Sequence, residues 1–307
     1  MTKVLIATEK PFAAQAVAGI KQILDEAGFE MVLLENYTDA ADFVKAVKDV
    51  DAVIVRSDLV TADIVKAAEN LKIVVRAGAG YDNLDLAACT EKGVVAMNTP
   101  GQNANAVAEL AYGLMLYHIR KSFSGKSGSE LRGKSLGIHA YGNVGRYVGR
   151  IAKGFGLEVS AFDPFMPQAA IENDGVKWVG SAEELYSNCQ YVSLHIPANA
   201  QTKKSINFEL LSRMPKGATL INTARKEVID EEGLLKMMAE RKDFSYLSDI
   251  EPDCKEKMQA EFAGRFLFTA KKSGAQTEEA NINAGLAAAH QIVGFISKGD
   301  NTFQVNK

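Results

Sequence analysis

Short apolar segments alternate with longer amphipathic stretches over about the first hundred residues. The apolar segments are rich in Val and Ile, and each has the length of one β-strand. Between the first two, apolar residues recur at helical spacing from Phe12 to Leu24, and Gly28 stands where that helix would end. This alternation is typical of βα units and predicts an α/β domain. The predicted strands are Val4–Ala7, Met31–Leu34, Ala52–Val55, Ile73–Val75 and Val94–Met97.

A second series of apolar segments follows a long helix predicted at Asn105–Ile119 and a loop predicted at 121–133. These segments are almost continuously apolar, as strands of a parallel sheet covered on both faces must be. The last helix, predicted at Ala280–Ser297 with Thr277 as its N-cap, has no strand after it, and the first domain is the candidate surface for its packing. The predicted strands of this series are Ser135–His139, Val159–Phe162, Tyr191–His195, Ala218–Thr223, Tyr246–Asp249 and Phe266–Thr269.

Length and composition indicate two ordinary globular domains. A chain of 307 residues exceeds what one hydrophobic core usually supports, and 47% hydrophobic with 24% charged residues is a typical globular balance. A net charge of −3 gives no basic footprint for nucleic acid, so that class of partner is not expected.

Cysteine usage and the N-terminus favour a cytoplasmic protein. Cys89, Cys189 and Cys254 are odd in number and far apart, which predicts neither disulfides nor a zinc cluster. The N-terminal sequence lacks the apolar core of a signal peptide, and no apolar run has the length of a membrane span. We therefore expect no metal and no membrane partner.

Residues 136–146 carry the pattern of a dinucleotide-binding turn, since they end a strand and open a helix. Gly142 would let the backbone approach a pyrophosphate, and Gly145 would let the helix pack on the strand. Asp163, at the end of the next strand, would accept hydrogen bonds from the adenosine ribose and repel a 2′-phosphate. Ala140 occupies the position of the motif's first glycine. The pattern favours NAD over NADP.

Arginines follow three of the predicted strands, where ligands bind in open α/β sheets. Arg225 offers a planar fork that matches a carboxylate and could polarise a neighbouring keto oxygen. Arg56 and Arg76 could hold an anionic group, and small residues after Arg76 permit close backbone approach. Ordinary surface arginines are the alternative interpretation. The candidate substrate-binding residues are Arg56, Ser57, Arg76, Gly78 and Ala79.

Five motifs in the same order resemble the D-2-hydroxyacid dehydrogenases, and they span nearly the whole chain. The motifs lie at Gly78–Asp85, Asn98–Gly101, Leu136–Arg146, Val192–Pro197 and Asn222–Arg225. Within that family, the residues around Arg56 and Arg76 are most similar to the 3-phosphoglycerate dehydrogenases, in particular a short type without the C-terminal regulatory extension.

The resemblance implies an α/β fold of two Rossmann-like domains with doubly wound parallel sheets. An NAD domain would be inserted into a flavodoxin-like substrate domain, with 1–98 and 283–307 forming the substrate domain and 99–282 the NAD domain. The family also implies a homodimer formed through the NAD domain. NAD is the implied cofactor.

The resemblance also assigns roles residue by residue. Arg225 matches the arginine that holds the substrate carboxylate and carbonyl, and Asp249 matches an acid near the nicotinamide amide. The family expects a glutamate about five residues after Asp249, where this chain has Cys254; Glu251 is the best candidate for that acid, with Asp253 behind it. The implied cofactor-binding residues are Gly142, Asn143, Val144, Gly145, Asp163, His195, Pro197, Thr223, Ala224 and Asp249.

The family histidine that transfers the proton is absent. Alignment on Gly274 places Lys272 at its position, and alignment on Thr269 favours Lys271. A pair of solvated surface lysines is the alternative. His195 matches a position lining the cofactor cleft and is expected to be structural or cofactor-adjacent rather than a proton donor.

The predicted function is hydride transfer between NAD and an anionic 2-hydroxy acid, most specifically 3-phosphoglycerate to 3-phosphohydroxypyruvate in serine biosynthesis. Closure of the two domains would complete the site. The alternatives are a dehydrogenase of the glycerate, 2-hydroxyglutarate or lactate type, and a non-catalytic NAD(H)-sensing protein on the same fold.

Overall fold

A computed structural model describes all residues, 1–307, and the chain divides into two compact units. The first unit comprises residues 1–103 and 277–307, and the second comprises 104–276. The chain thus leaves the first unit, builds the second and returns. The sequence-based domain limits at 98/99 and 282/283 stay a prediction.

The first unit contains a five-stranded sheet in which all neighbouring strands are parallel. The strand order is β2-β1-β3-β4-β5, the doubly wound order seen in flavodoxin-like folds. Its strands are β1 (Lys3–Thr8), β2 (Glu30–Glu35), β3 (Ala52–Val55), β4 (Ile73–Arg76) and β5 (Val95–Asn98). Its helices are α1 (Ala14–Glu26), α2 (Ala40–Ala46), α3 (Ala62–Ala67), α4 (Leu86–Lys92) and α12 (Glu278–Lys298).

The last helix, α12, packs on α1 of the first unit, as the sequence predicted. Thr277 caps it by accepting a hydrogen bond from the backbone N–H of Ala280 at 3.1 Å. Gly19 and Gly285 let the helices approach closely, because a Cβ at either position would press on a side chain of the other helix or on Phe12. Small residues therefore decide where the returning chain docks.

The second unit contains a seven-stranded parallel sheet with the order β12-β11-β10-β9-β6-β7-β8. With β6 as the first strand, this is the Rossmann strand order. Strands β7 and β8 are added on one side of β6 and β9 to β12 on the other, so the strand order reverses between β6 and β9. Its strands are β6 (Ser135–His139), β7 (Glu158–Phe162), β8 (Lys177–Trp178), β9 (Tyr191–Leu194), β10 (Thr219–Asn222), β11 (Ser245–Ser248) and β12 (Phe266–Phe268). Its helices are α5 (Ala104–Ile119), α6 (Asn143–Gly154), α7 (Gln168–Asn173), α8 (Ala182–Asn188), α9 (Phe208–Leu211), α10 (Glu231–Glu240) and α11 (Lys255–Glu261).

The predicted fold class, two doubly wound parallel sheets, is confirmed. The central strands β9, β10 and β11 are buried at every residue, as expected for a parallel sheet covered on both faces. They are not continuously apolar, because each also buries polar residues such as Ser193, Thr219 and Ser248. The sequence missed β8, because two residues are too few to show a pattern. No helix combines the length and the apolar character needed to cross a membrane.

Candidate active site

The turn between β6 and α6 has the geometry of a phosphate-binding loop. Ala140 has φ of 77°, in the left-handed region that favours glycine, at a cost of roughly 1–2 kcal/mol. A Cβ at Gly145 would collide with the Ala140 carbonyl, whereas Gly142 borders open space. No side chain caps the start of α6, where Asn143 and Val144 begin the helix, so its first N–H groups have no side-chain acceptor and are available to an anion.

Asp163 sits at the end of β7 with its carboxylate facing this loop. The side chain is buried and accepts hydrogen bonds from the backbone N–H groups of Tyr141 and Phe165, both at 2.8 Å. The two donors bind different oxygens of the carboxylate, so each oxygen can still accept a hydrogen bond from a hydroxyl. The loop is thereby tied to the acid expected to receive the ribose.

These features fit a dinucleotide. The glycine cradle and the uncapped helix start suit a pyrophosphate, and the Asp163 carboxylate suits a ribose diol. The structure brings Gly142, Gly145 and Asp163 together at this turn, and their roles in cofactor binding stay a prediction. Pro197, placed among the cofactor residues from the sequence, lies exposed beyond the end of β9.

Asn222, which the sequence analysis did not select, braces the turn that carries Arg225. It is 1% exposed at the end of β10. Its Oδ1 accepts from the Ala224 N–H at 3.0 Å, and its Nδ2 donates to the Arg225 carbonyl at 3.0 Å. Nδ2 also lies 3.2 Å from the buried Tyr246 hydroxyl. The turn is held in a shape that leaves the Arg225 side chain exposed.

Two cations meet at one backbone oxygen beside this turn. Arg225 Nη1 donates to the Ala224 carbonyl at 3.0 Å, and Lys272 Nζ donates to the same oxygen at 3.2 Å. An ammonium and a guanidinium held this close together form a positive site suited to a carboxylate. The backbone carbonyl of Lys271 accepts a hydrogen bond from Ser273 Oγ at 2.7 Å.

Asp249 holds the loop in which both lysines lie. Its carboxylate is 2% exposed and accepts from Thr269 Oγ1 at 3.0 Å, Ser273 N at 2.7 Å and Gly274 N at 2.8 Å. The two backbone donors directly follow Lys272. Asp249, which the family resemblance places near the nicotinamide amide, thus binds the loop that carries Lys271 and Lys272.

His195 and His139 are neutral side chains in this unit. Burial lowers the pKa of His195 to about 3, and the nearby His139 lowers it further. Burial likewise lowers the pKa of His139 to about 4. His195 Nε2 lies 3.0 Å from Ser193 Oγ, and its Nδ1 lies 3.5 Å from Thr223 Oγ1. At neutral pH neither side chain is therefore an imidazolium that could act as the general acid.

The acidic candidates after β11 lie in ion pairs. Glu251 Oε2 is 2.6 Å from Lys255 Nζ, and Asp253 Oδ1 is 2.6 Å from Lys226 Nζ. Glu231, which the sequence analysis did not select, holds this shortened loop by accepting from Asp253 N at 2.9 Å and Cys254 N at 2.7 Å. An acid in the first turn of a helix is common, so no sequence pattern indicates this role.

In the first unit, Arg56 directly follows β3, and Arg76 is the last residue of β4. The Arg56 guanidinium donates to the carbonyls of Lys10 and Pro11, both at 3.0 Å, and to Asn281 Oδ1 at 2.8 Å. Arg76 Nε donates to the Arg56 carbonyl at 3.0 Å. Both arginines therefore already use some of their N–H donors in hydrogen bonds within the protein.

The small residues after β4 fit the arginine beside them. Gly78 has φ of 147°, and a Cβ there would collide with the Arg76 guanidinium, so only glycine permits this arrangement. Ala79 is exposed, and its carbonyl accepts from Asn98 Nδ2 at 2.6 Å. Ser57 is exposed at the end of the neighbouring strand.

Residues 109–263 match the NAD-binding domain of the D-isomer specific 2-hydroxyacid dehydrogenases. The chain belongs to this family. The match covers the phosphate-binding loop, Asp163 and the Arg225 turn, and it makes the second unit the NAD-binding part of the dehydrogenase.

Relatives and solved structures agree with this assignment. The chain is 34% identical over 280 residues to a hydroxypyruvate reductase of Thermotoga maritima, covering 86% of this chain and 90% of that protein. It is 34% identical over 285 residues to a D-3-phosphoglycerate dehydrogenase of Methanocaldococcus jannaschii, covering 88% of this chain but only 54% of that protein. It therefore spans about half the length of that relative.

A solved structure covers almost the full length of both chains. The NAD⁺-bound 3-phosphoglycerate dehydrogenase of Entamoeba histolytica is 49% identical, with a TM-score of 0.85. The alignment covers 100% of this chain and 99% of that one. NAD is the cofactor of the dehydrogenase family to which this chain belongs.

Proposed function

We propose that this NAD-dependent dehydrogenase interconverts 3-phosphoglycerate and 3-phosphohydroxypyruvate. The observation that carries the proposal is the pair of cations, Arg225 and Lys272, on the Ala224 carbonyl. A substrate carboxylate would take the place of that backbone oxygen as the partner of Arg225, which would put the neighbouring keto oxygen beside Lys272. The phosphoglycerate dehydrogenases among the relatives support the choice of acid.

In this proposal Arg225 binds the substrate carboxylate and Lys272 transfers the proton. The Arg225 fork orients the carboxylate and places positive charge near the keto oxygen. Lys272 gives a proton to that oxygen as the keto acid is reduced, and takes it back in the reverse reaction. NAD, when bound, exchanges the hydride with C2.

Lys272 is the better candidate of the two lysines because its ammonium already lies at the Ala224 carbonyl. Glu251 and Asp253 stay candidates for a paired acid. Each would first have to leave its lysine partner, at the small cost typical of a surface ion pair.

The first unit is proposed as the substrate domain, with Arg76 and Arg56 contributing to binding of the second anionic group. Arg56 would have to exchange hydrogen bonds now made to backbone carbonyls. A homodimer formed through the NAD-binding unit and a cytoplasmic location complete the proposal. A role in serine biosynthesis follows if 3-phosphoglycerate is the preferred acid.

A second candidate substrate comes from the hydroxypyruvate reductase relative. It would make this a dehydrogenase of unphosphorylated 2-hydroxy acids. Steady-state NADH absorbance with 3-phosphohydroxypyruvate, hydroxypyruvate, 2-oxoglutarate and pyruvate separates the two. A kcat/KM for an unphosphorylated acid equal to or above that for 3-phosphohydroxypyruvate contradicts the proposal. Tight NADH binding without turnover would instead favour the NAD(H)-sensing alternative.

The lysine assignment has its own test. Lys272→Ala should lower turnover about 10² or more with NADH affinity kept, whereas Lys271→Ala should be mild and serves as the matched control. Near-wild-type kinetics in both variants would remove lysine from proton transfer.

A further inference from the structure

The buried Asp249 carboxylate is committed to one short loop. Three of its roughly four acceptor positions are taken by Thr269 Oγ1, Ser273 N and Gly274 N. Burying a carboxylate is costly unless such donors compensate for lost water. An arrangement this complete fixes the path of the chain from Thr269 to Gly274.

This loop presents Lys272. The two backbone donors belong to the residues that directly follow it, so the Asp249 carboxylate sets where the Lys272 Cα lies. Gly274 must approach closely, because a Cβ there would lie 2.8 Å from Asp249 Oδ2. Asp249 N in turn donates to the Asn222 carbonyl at 2.9 Å, which ties the lysine loop to the residue that braces the Arg225 turn.

We infer that Asp249 is a positioning residue for the proton-transferring Lys272, acting through Ser273 and Gly274. The inference rests on the proposed function of Lys272. Asp249 and Asn222 together place the ammonium and the guanidinium on one oxygen, so the distance between the two cations depends on both buried side chains.

Asp249→Asn is the direct test, because it keeps the shape but replaces one acceptor oxygen with an NH₂ group. One backbone N–H of the loop then loses its acceptor. We expect kcat for keto-acid reduction to fall about 10- to 100-fold, with the Kd for NADH, measured by fluorescence, within about threefold of wild type. A Kd raised more than tenfold with kcat preserved would instead make Asp249 a nicotinamide ligand and overturn the inference.

A double-mutant cycle separates positioning from general structural damage. In the Lys272→Ala background, Asp249→Asn should cause almost no further loss of kcat, since the group it positions is already gone. If the fold-losses of kcat in the two single variants instead multiply in the double variant, the inference is overturned. If Lys272→Ala alone keeps wild-type turnover, the proposed proton-transfer role of Lys272 fails instead, so the two failures are distinguishable.

Thr269 gives a second route if Asp249→Asn does not fold. Thr269→Val removes one donor to the carboxylate and should lower kcat several-fold with the NADH Kd unchanged. Thr269→Ser restores the hydroxyl and should recover most of that loss. Equal kcat values for the Val and Ser variants would contradict the role of the carboxylate network.

Discussion

The buried His139 should make the protein less stable in mild acid. It lies at the end of β6, 8% exposed, with Nδ1 3.3 Å from the Tyr186 hydroxyl. Burial lowers its pKa from 6.5 to about 4. Between these two values the unfolded state binds more protons than the folded state, so the free energy of unfolding falls as the pH falls.

The size of the effect follows from the two pKa values. At pH 5 the unfolded imidazole is about 30-fold more often protonated than neutral, while the folded one stays mostly neutral. RT ln 30 is about 2 kcal/mol, almost all of it lost between pH 7 and pH 5. His195, whose pKa is also lowered by burial, adds a loss in the same direction.

Urea unfolding at pH 7 and pH 5 measures this loss. His139→Gln keeps a polar partner for Tyr186 but cannot titrate, so it should lose about 2 kcal/mol less than wild type between the two pH values. His290→Gln, on the exposed side of α12, is the matched control and should follow wild type. The same pH-dependent loss in wild type and His139→Gln would show that protonation of His139 does not cause the loss of stability.

Two further predictions concern ligand binding. Asp163→Ala should weaken NAD binding and reduce the ratio of the Kd for NADP to the Kd for NAD, both measured by fluorescence titration. The reason is that the variant lacks both the acceptor for the ribose hydroxyls and the negative charge that repels a 2′-phosphate. An unchanged ratio of the two Kd values would exclude Asp163 from the ribose site. Arg225→Lys keeps the charge but loses the fork, so kcat/KM from initial rates should fall at least about tenfold, roughly 1.4 kcal/mol of transition-state stabilisation. Wild-type kinetics in that variant would remove Arg225 from the reaction.

The sequence alone determined the fold class and most of the elements. β3, for example, begins and ends where its apolar run does, because burial on both faces favours an unbroken apolar segment. The phosphate-binding loop was equally visible, since glycine at 142 and 145 and an acid at 163 are local requirements of one turn and two strands.

Only the tertiary structure decided which side chains share a site. Lys271 and Lys272 are equivalent in sequence, and their difference comes from a hydrogen bond to Ala224, which lies in a different strand-end turn. The roles of Asn222, Glu231 and Asp249 likewise depend on backbone groups brought together from separate segments. Sequence patterns report burial and local turns, whereas the partner of a buried polar group is set by how the strands are ordered in the sheet.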